Sequence, residues 1–307
     1  MPARPARMHK EQETSKLVHI GASSRIHTAK VGVLMKGRPC PQPTVWNTSN
    51  WNTTYSAIWV GLTLLLAAWS AHAWESPNNR FRIAVVAAYG RATEGIKAEP
   101  QSVKAQVELS RICFQVGEYA TNNAERALFA EQGIAAARSA LSRTTNSGPA
   151  HFYLGLNLGQ LARTRGLSAL RLVDQMEREV LKARELDPSQ DHAGPDRILG
   201  LLYRDAPSIG SVGSRTKARH HLQQAALVAP DFPDNRLNLL ETYLDWKDRA
   251  GAARELKILE ELLPKARQQL SGPQWEAEWL DWDARFKKAK TRAERDPKIL
   301  KSPSQAG

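Results

Sequence analysis

Residues 199–264 read LGLLYRDAPSIGSVGSRTKARHHLQQAALVAPDFPDNRLNLLETYLDWKDRAGAARELKILEELLP, and the spacing of their small and apolar residues recurs within the stretch. Leu199-Gly200-x2-Tyr203 is followed by Ala218-x3-Leu222-x2-Ala225-x4-Pro230. Then Leu239-x3-Tyr243 is followed by Ala252-x3-Leu256-x2-Leu259-x4-Pro264, and the two prolines lie 34 residues apart. Apolar residues at i, i+3/i+4 and i+7 give each run one greasy stripe along a helix. A lone pair of helices leaves that stripe wet, whereas stacked pairs bury it together, so the pattern predicts an array whose stability belongs to the stack. Small residues such as Gly200, Ala218, Ala225 and Ala183 let neighbouring helices approach closely.

A third copy runs upstream, with weaker ones before it. Leu154-Gly155-x2-Leu158 pairs with Met176-x3-Val180-x2-Ala183-x4-Pro188, and Leu109-x3-Cys113-x2-Val116 pairs with Ala130-x3-Ile134-x2-Ala137. Ala88-x3-Ala92-x2-Gly95-x4-Pro100 reads as an unpaired second helix at the start of the stack. Pro149, Pro195, Pro233 and Pro273 precede apolar-periodic runs and mark helix starts, where a missing N–H costs nothing. Over roughly residues 81–264 the pattern resembles the tetratricopeptide repeat (TPR), L-G-x2-Y then A-x3-F-x2-A-x4-P with a 34-residue period. The resemblance implies an all-α, right-handed α-solenoid of about four helix hairpins. The expected organisation is a leader over residues 1–56, an apolar segment at 57–73, a solenoid over 80–286 closed by a capping helix at 273–286, and a basic unfolded tail at 287–307.

Two units are longer than the standard one. Leu154 to Met176 spans 22 residues and Leu199 to Ala218 spans 19, against 13 from Leu239 to Ala252. The extra residues fall between the first (A) and second (B) helix of each unit, on one edge of the array, where solenoids vary and carry function. Ser214 reads as the N-cap of the helix after the second loop. Ala206-Pro207, Gly213-Ser214, Lys217-Ala218, Leu222, Ala225 and Pro230-Asp231-Phe232-Pro233-Asp234-Asn235 together resemble exported bacterial TPR proteins similar to the T component associated with TRAP-type periplasmic substrate transporters. That resemblance implies a helical scaffold with a ligand-accessible cavity near a periplasmic solute-binding protein.

The chain has 307 residues, 42% apolar and 24% charged, rich in Ala, Leu, Glu, Arg and Lys, which favours helix over sheet. Its net charge of +12 lies wholly in the ends: residues 56–284 carry 27 basic and 27 acidic side chains. A nucleic-acid binder places its surplus on the folded surface that meets phosphate, so nucleic acid is not expected as a partner. Ala57–Trp69 (AIWVGLTLLLAAW) followed by Ala71-His72-Ala73 has the length and ending of a signal-peptide core, which predicts cleavage after Ala73 and a periplasmic or secreted protein. The 56 residues before it suggest a true start nearer Met35. If uncleaved, the segment is a membrane anchor. Cys40 and Cys113 are the only cysteines, and they decide nothing about redox compartment.

Catalytic signatures are missing from the sequence: there is no H-E-x-x-H, paired C-x-x-C or G-x-S-x-G, and Gly210–Lys217 lacks the G-K-[ST] ending of a phosphate loop. His220-His221 cannot share one helix face, and a surface helix accounts for both. No enzyme activity, cofactor or metal is expected. In the TPR family the A helices line the concave face. The family's ligand-facing positions map onto Phe152, Leu156 and Gln160, then Arg197, Leu201 and Arg204, then Leu237, Glu241 and Asp245. The resulting groove places two arginines, seven residues and two turns apart, opposite two carboxylates, for a protein, peptide or small organic acid. Its alternative is a set of ion pairs within the array. Under the groove reading, Arg197→Ala weakens ligand binding and spares the fold. Trp275, Trp279, Trp282 and Phe286 trace one face of the last helix, either a cap over the final stripe or an aromatic partner groove, with Glu276, Glu278, Asp281 and Asp283 turned to water.

Overall fold

A computed structural model describes residues 77–165, 168–296 and 299. The leader, the apolar segment and residues 300–307 lie outside the described residues. Among the described residues there are ten α-helices, one short 3-10 turn and no strand. A single helix α1 (Pro77–Ala98) precedes four hairpins: α2 (Val103–Glu118) with α3 (Asn123–Leu141), α4 (Gly148–Ala162) with α5 (Ala169–Leu186), α6 (Gln190–Asp205) with α7 (Arg215–Val228), and α8 (Pro233–Asp245) with α9 (Arg249–Gln269). The turn Pro273–Trp275 leads into α10 (Glu276–Glu294). Each helix packs on its hairpin partner, and the A helices also pack in a row, α2 on α4, α4 on α6, α6 on α8 and α8 on α10. That second set of contacts is the stacking the period calls for, so the chain is an α-solenoid.

Local chemistry sets the helix starts. The side chains of Ser102, Asn122, Ser147, Ser214 and Asp248 each accept a hydrogen bond from the backbone N–H three residues on, at 2.8–3.3 Å, which satisfies one of the orphan donors of the first turn. Pro149 and Pro233 occupy first-turn positions. Within the hairpins the small residues work as spacers: a Cβ on Gly155 would sit 2.5 Å from Val180 Cγ2, and one on Gly200 2.6 Å from Leu222 Cγ. The interior forms two large apolar clusters. One runs from Phe114 to Ala218 and the other from Leu201 to Ile299. Burial pushes the Cys113 thiol up to about 12, so it stays protonated inside α2.

Several expectations change at the C-terminal end. The capping helix continues past Phe286 to Glu294, with Ala289 and Ala293 buried against the core, so Lys287–Glu294 is helical, not an unfolded tail. Trp275, Trp279 and Trp282 are buried, and Trp282 packs edge-on against Phe232 at 5.3 Å and Trp279 at 4.9 Å. The tryptophans cover the last stripe. Glu276 and Asp283 face solvent and Asp281 is half-buried, but Glu278 is only 2% exposed. His220 is exposed while His221 is buried, its Nδ1 2.7 Å from Asp196 Oδ1. One surface therefore does not account for both histidines.

Candidate functional site

The nine residues expected along the concave face do not form one groove. Phe152, Leu156, Gln160, Arg197, Leu201 and Leu237 are buried, Arg204 and Glu241 are partly buried, and Asp245 is exposed. The charges among them are spent inside the array. Arg204 forks onto its neighbour Asp205 at 2.7 and 2.9 Å and donates to Thr242 Oγ1. Glu241 accepts two hydrogen bonds from Arg285 of α10, and Asp245 pairs with Arg292. The alternative reading, ion pairs within the array, describes these side chains: Glu241 and Asp245 pair with a neighbouring helix, Arg204 within its own.

Arg197 is the clearest case, with no exposed surface. Residues Asp191, His192 and Ala193 enter α6 in left-handed conformations, φ 50°, 55° and 62°, which non-glycine residues adopt only at a cost. The Arg197 guanidinium donates to the carbonyl oxygens of Asp191 and His192 at 3.1 and 3.0 Å, to Asp191 Oδ2 at 3.0 Å and to Asn235 Oδ1 at 3.1 Å. Its Nε lies 3.3 Å from Asp234 Oδ2. Arg285 meets the other oxygen of Asp234 at 2.6 Å. A row Arg197, Asp234, Arg285 thus ties α6, α8 and α10 together across 88 positions of sequence. Burial opposes the charge on Arg285, but Asp234, Glu241 and Asp281 outweigh it and raise its pKa well above the ordinary value.

An open volume occurs elsewhere, on the edge where the long A-to-B loops lie. A chamber of about 370 Å³ is enclosed by the C-terminal ends of α2, α4 and α6, the first turns of α5, and the loop after α6. Its wall is almost wholly apolar: Phe114, Leu156, Leu170, Val173, Met176, Ile198, Leu201, Leu202 and Pro207. Glu118, Gln160, Arg163 and Asp205 supply the polar part of the lining. There Glu118 Oε1 accepts from Gln160 Nε2 and, at 3.1 Å, from Arg163. Three of the nine expected residues, Leu156, Gln160 and Leu201, reach this chamber. Phe114, Arg163 and Val173 escaped the sequence reading, and Met176 entered it only as a repeat residue. Their signal was position, since all but Phe114 lie within the first long unit. The volume is in the range of small-ligand pockets, and an apolar wall with a few polar groups suits an apolar group carried on a polar body.

No family model matches the chain, and no curated protein does. Among solved structures, TTC0263, a thermophilic TPR protein from Thermus thermophilus, superposes with a TM-score of 0.52 at 20% identity, covering 75% of this chain and 96% of that one. MamA matches with a TM-score of 0.40 at 16% identity, covering 63% and 96%.

Proposed function

We propose that the chain is a non-enzymatic, TPR-like scaffold, exported to the periplasm, that binds a protein or peptide partner on its loop edge. The observation that carries this reading is the apolar chamber, which lies where the two longest A-to-B loops meet, open to a side chain from outside. A buried apolar anchor in a pocket is how small recognition surfaces gain most of their affinity. A periplasmic solute-binding protein is the partner suggested by the T-component resemblance, which would make this chain a transporter accessory component. A small organic acid with an apolar tail is the second reading, favoured by Arg163 beside the chamber.

Val173 stands in the chamber wall and is only partly buried, so Val173→Trp fills the space with little demand on the core. Fluorescence anisotropy with a panel of short peptides, each bearing one Leu or Phe anchor, is expected to find binding that this variant weakens at least tenfold, about 1.4 kcal/mol, with the thermal midpoint unchanged. Equal binding by both proteins discards the chamber as the docking point. Octanoate in place of the peptides tests the organic-acid reading.

Export rests on Ala57–Trp69 and the Ala71-His72-Ala73 that follows. N-terminal sequencing of protein from the cell envelope is expected to begin at Trp74. A chain beginning upstream of Ala57 and held in the membrane fraction instead supports the alternative, a membrane-anchored scaffold for assembling an envelope complex.

A further inference from the structure

One repeat further along the loop edge, the surface changes from apolar to cationic. The second long loop, which contributes Ala206, Pro207 and Ser211 to the chamber, runs directly into Arg215. Arg215 lies over the Trp246 ring at 4.6 Å, and Arg219 lies over both Trp246 and Tyr243 at 5.4 Å. Arg254 approaches Tyr243 at 5.9 Å. Lys217 stands over Tyr203 at 4.8 Å. Lys247 and Arg249 are exposed at the turn that follows Trp246.

The charges here are layered. Six cations, Arg215, Lys217, Arg219, Lys247, Arg249 and Arg254, lie outermost, with side-chain exposures of 57% for Lys217 and Arg254 and 46% for Arg249. The carboxylates that meet them sit deeper: Glu255 is 3% exposed, Glu177 18%, Asp248 26% and Asp296, the partner of Arg249, 34%. Asp248 is already committed to the backbone N–H of Gly251, which together with Arg219 holds its carboxyl below the usual range. These six cations meet four carboxylates, a local surplus of two, and a second basic run, Lys287 to Arg295, lies on the capping helix. Guanidinium groups parked on rings are partly ordered before any partner arrives and lose less entropy on binding one. The Arg249–Asp296 pair is open to solvent on both sides, and such pairs contribute little, so a partner carboxylate exchanges for Asp296 there at small cost.

We infer that this basic, ring-backed surface receives an acidic segment of the partner, adjoining the apolar anchor held in the chamber. This inference deepens the proposed partner docking and rests on it for the position of the anchor. Neighbouring helices pack about 8–10 Å apart, and an extended chain advances about 3.3 Å per residue. The acidic residues therefore begin about three positions beyond the anchor. A protein segment fits better than nucleic acid, because the Trp246 and Tyr243 faces are already occupied by guanidinium groups and offer no open platform on which a base could stack.

The test uses the full chain and two fluorescein-labelled peptides, one with a leucine, a three-residue Gly/Ser spacer and six glutamates, the other with six glutamines. At 150 mM salt the glutamate peptide is expected to bind at least tenfold tighter than its glutamine counterpart. Arg215→Glu with Arg254→Glu should abolish that difference and leave the thermal midpoint in place. Should that double variant unfold, Lys217→Gln with Lys247→Gln, both at exposed sites, replaces it. Equal binding of the two peptides, or an unchanged preference in a folded charge variant, overturns the inference. So does tighter binding to duplex DNA or to phosphatidylglycerol vesicles than to the glutamate peptide. A glutamate preference that survives Val173→Trp but not the charge variant leaves this surface standing and removes the chamber.

Discussion

Arg197→Ala is expected to cost about 3–5 kcal/mol of folding stability, the range found when one partner of a buried charge pair is removed. The loss has three parts. Asp234, which is 1% exposed, is left with a smaller share of positive charge. The carbonyl oxygens of Asp191 and His192 lose the donors that fasten the left-handed turn into α6. The Phe232 ring, stacked on His192 at 4.3 Å, loses the guanidinium lying 5.1 Å from its centre. For an array of this length, chemical denaturation should show the midpoint falling sharply, and a thermal melt should drop by roughly 10 °C. Arg204→Ala serves as the comparison, since Arg204 keeps some contact with solvent and its carboxylate partner is the adjacent Asp205, so its loss should be clearly the smaller. Similar small effects for both substitutions would mean that Arg197 does not hold the repeats together. The sequence reading expected the opposite, an Arg197 whose loss spares the fold, because its position in the family pattern faces ligand.

The second large effect concerns pH. Burial, and then the nearby carboxylates Asp191, Asp234 and Asp281, push the Glu278 carboxyl up to about 8. Its Oε2 makes no hydrogen bond among the described residues. The group therefore enters the fold as the neutral acid, although in the unfolded chain it ionises near 4.5. The folded form binds the extra proton between these values, so stability from this group is fully present below about 4.5 and drains away as pH rises through about 8. At about 1.4 kcal/mol for each pKa unit, the sum is on the order of a few kcal/mol. Glu278→Gln should match the parent near pH 5 and melt higher than it at pH 8 by roughly 5–10 °C, with a flatter stability profile between. Parallel profiles for the two proteins would assign the pH response to other groups.

The fold was open to reading because a period of apolar and small residues is a local signal. Leu199, Gly200, Ala218 and Leu222 carry it without reference to anything outside their own hairpin. The site was less open because its determinants are distant partners. Nothing around Arg197 announces Asn235, 38 positions away, and nothing around Glu278 announces that α10 sets it against Asp191 and Asp234. An amphipathic pattern shows which face of an A helix is greasy. It does not show which polar residues meet the next A helix in the row and are thereby withdrawn from solvent. The chamber lies on the edge of the long loops, but it also draws on α2 and α5, whose contribution follows from stacking alone.

The salt-linked row from Arg197 through Asp234 to Arg285 also bears on how such a protein can change over generations. Solenoids commonly gain and lose whole units by duplication. Here, deleting or inserting one unit between α6 and α10 would set arginine against arginine or leave an acid facing hydrocarbon, so the number of units at this end is locked. The hairpins nearer α1 join through apolar contacts, a neutral Asn157 amide bridging to Ser110 and ion pairs nearer the surface, Arg163–Glu118 and Arg165–Glu131, so no row of buried charge fixes copy number there.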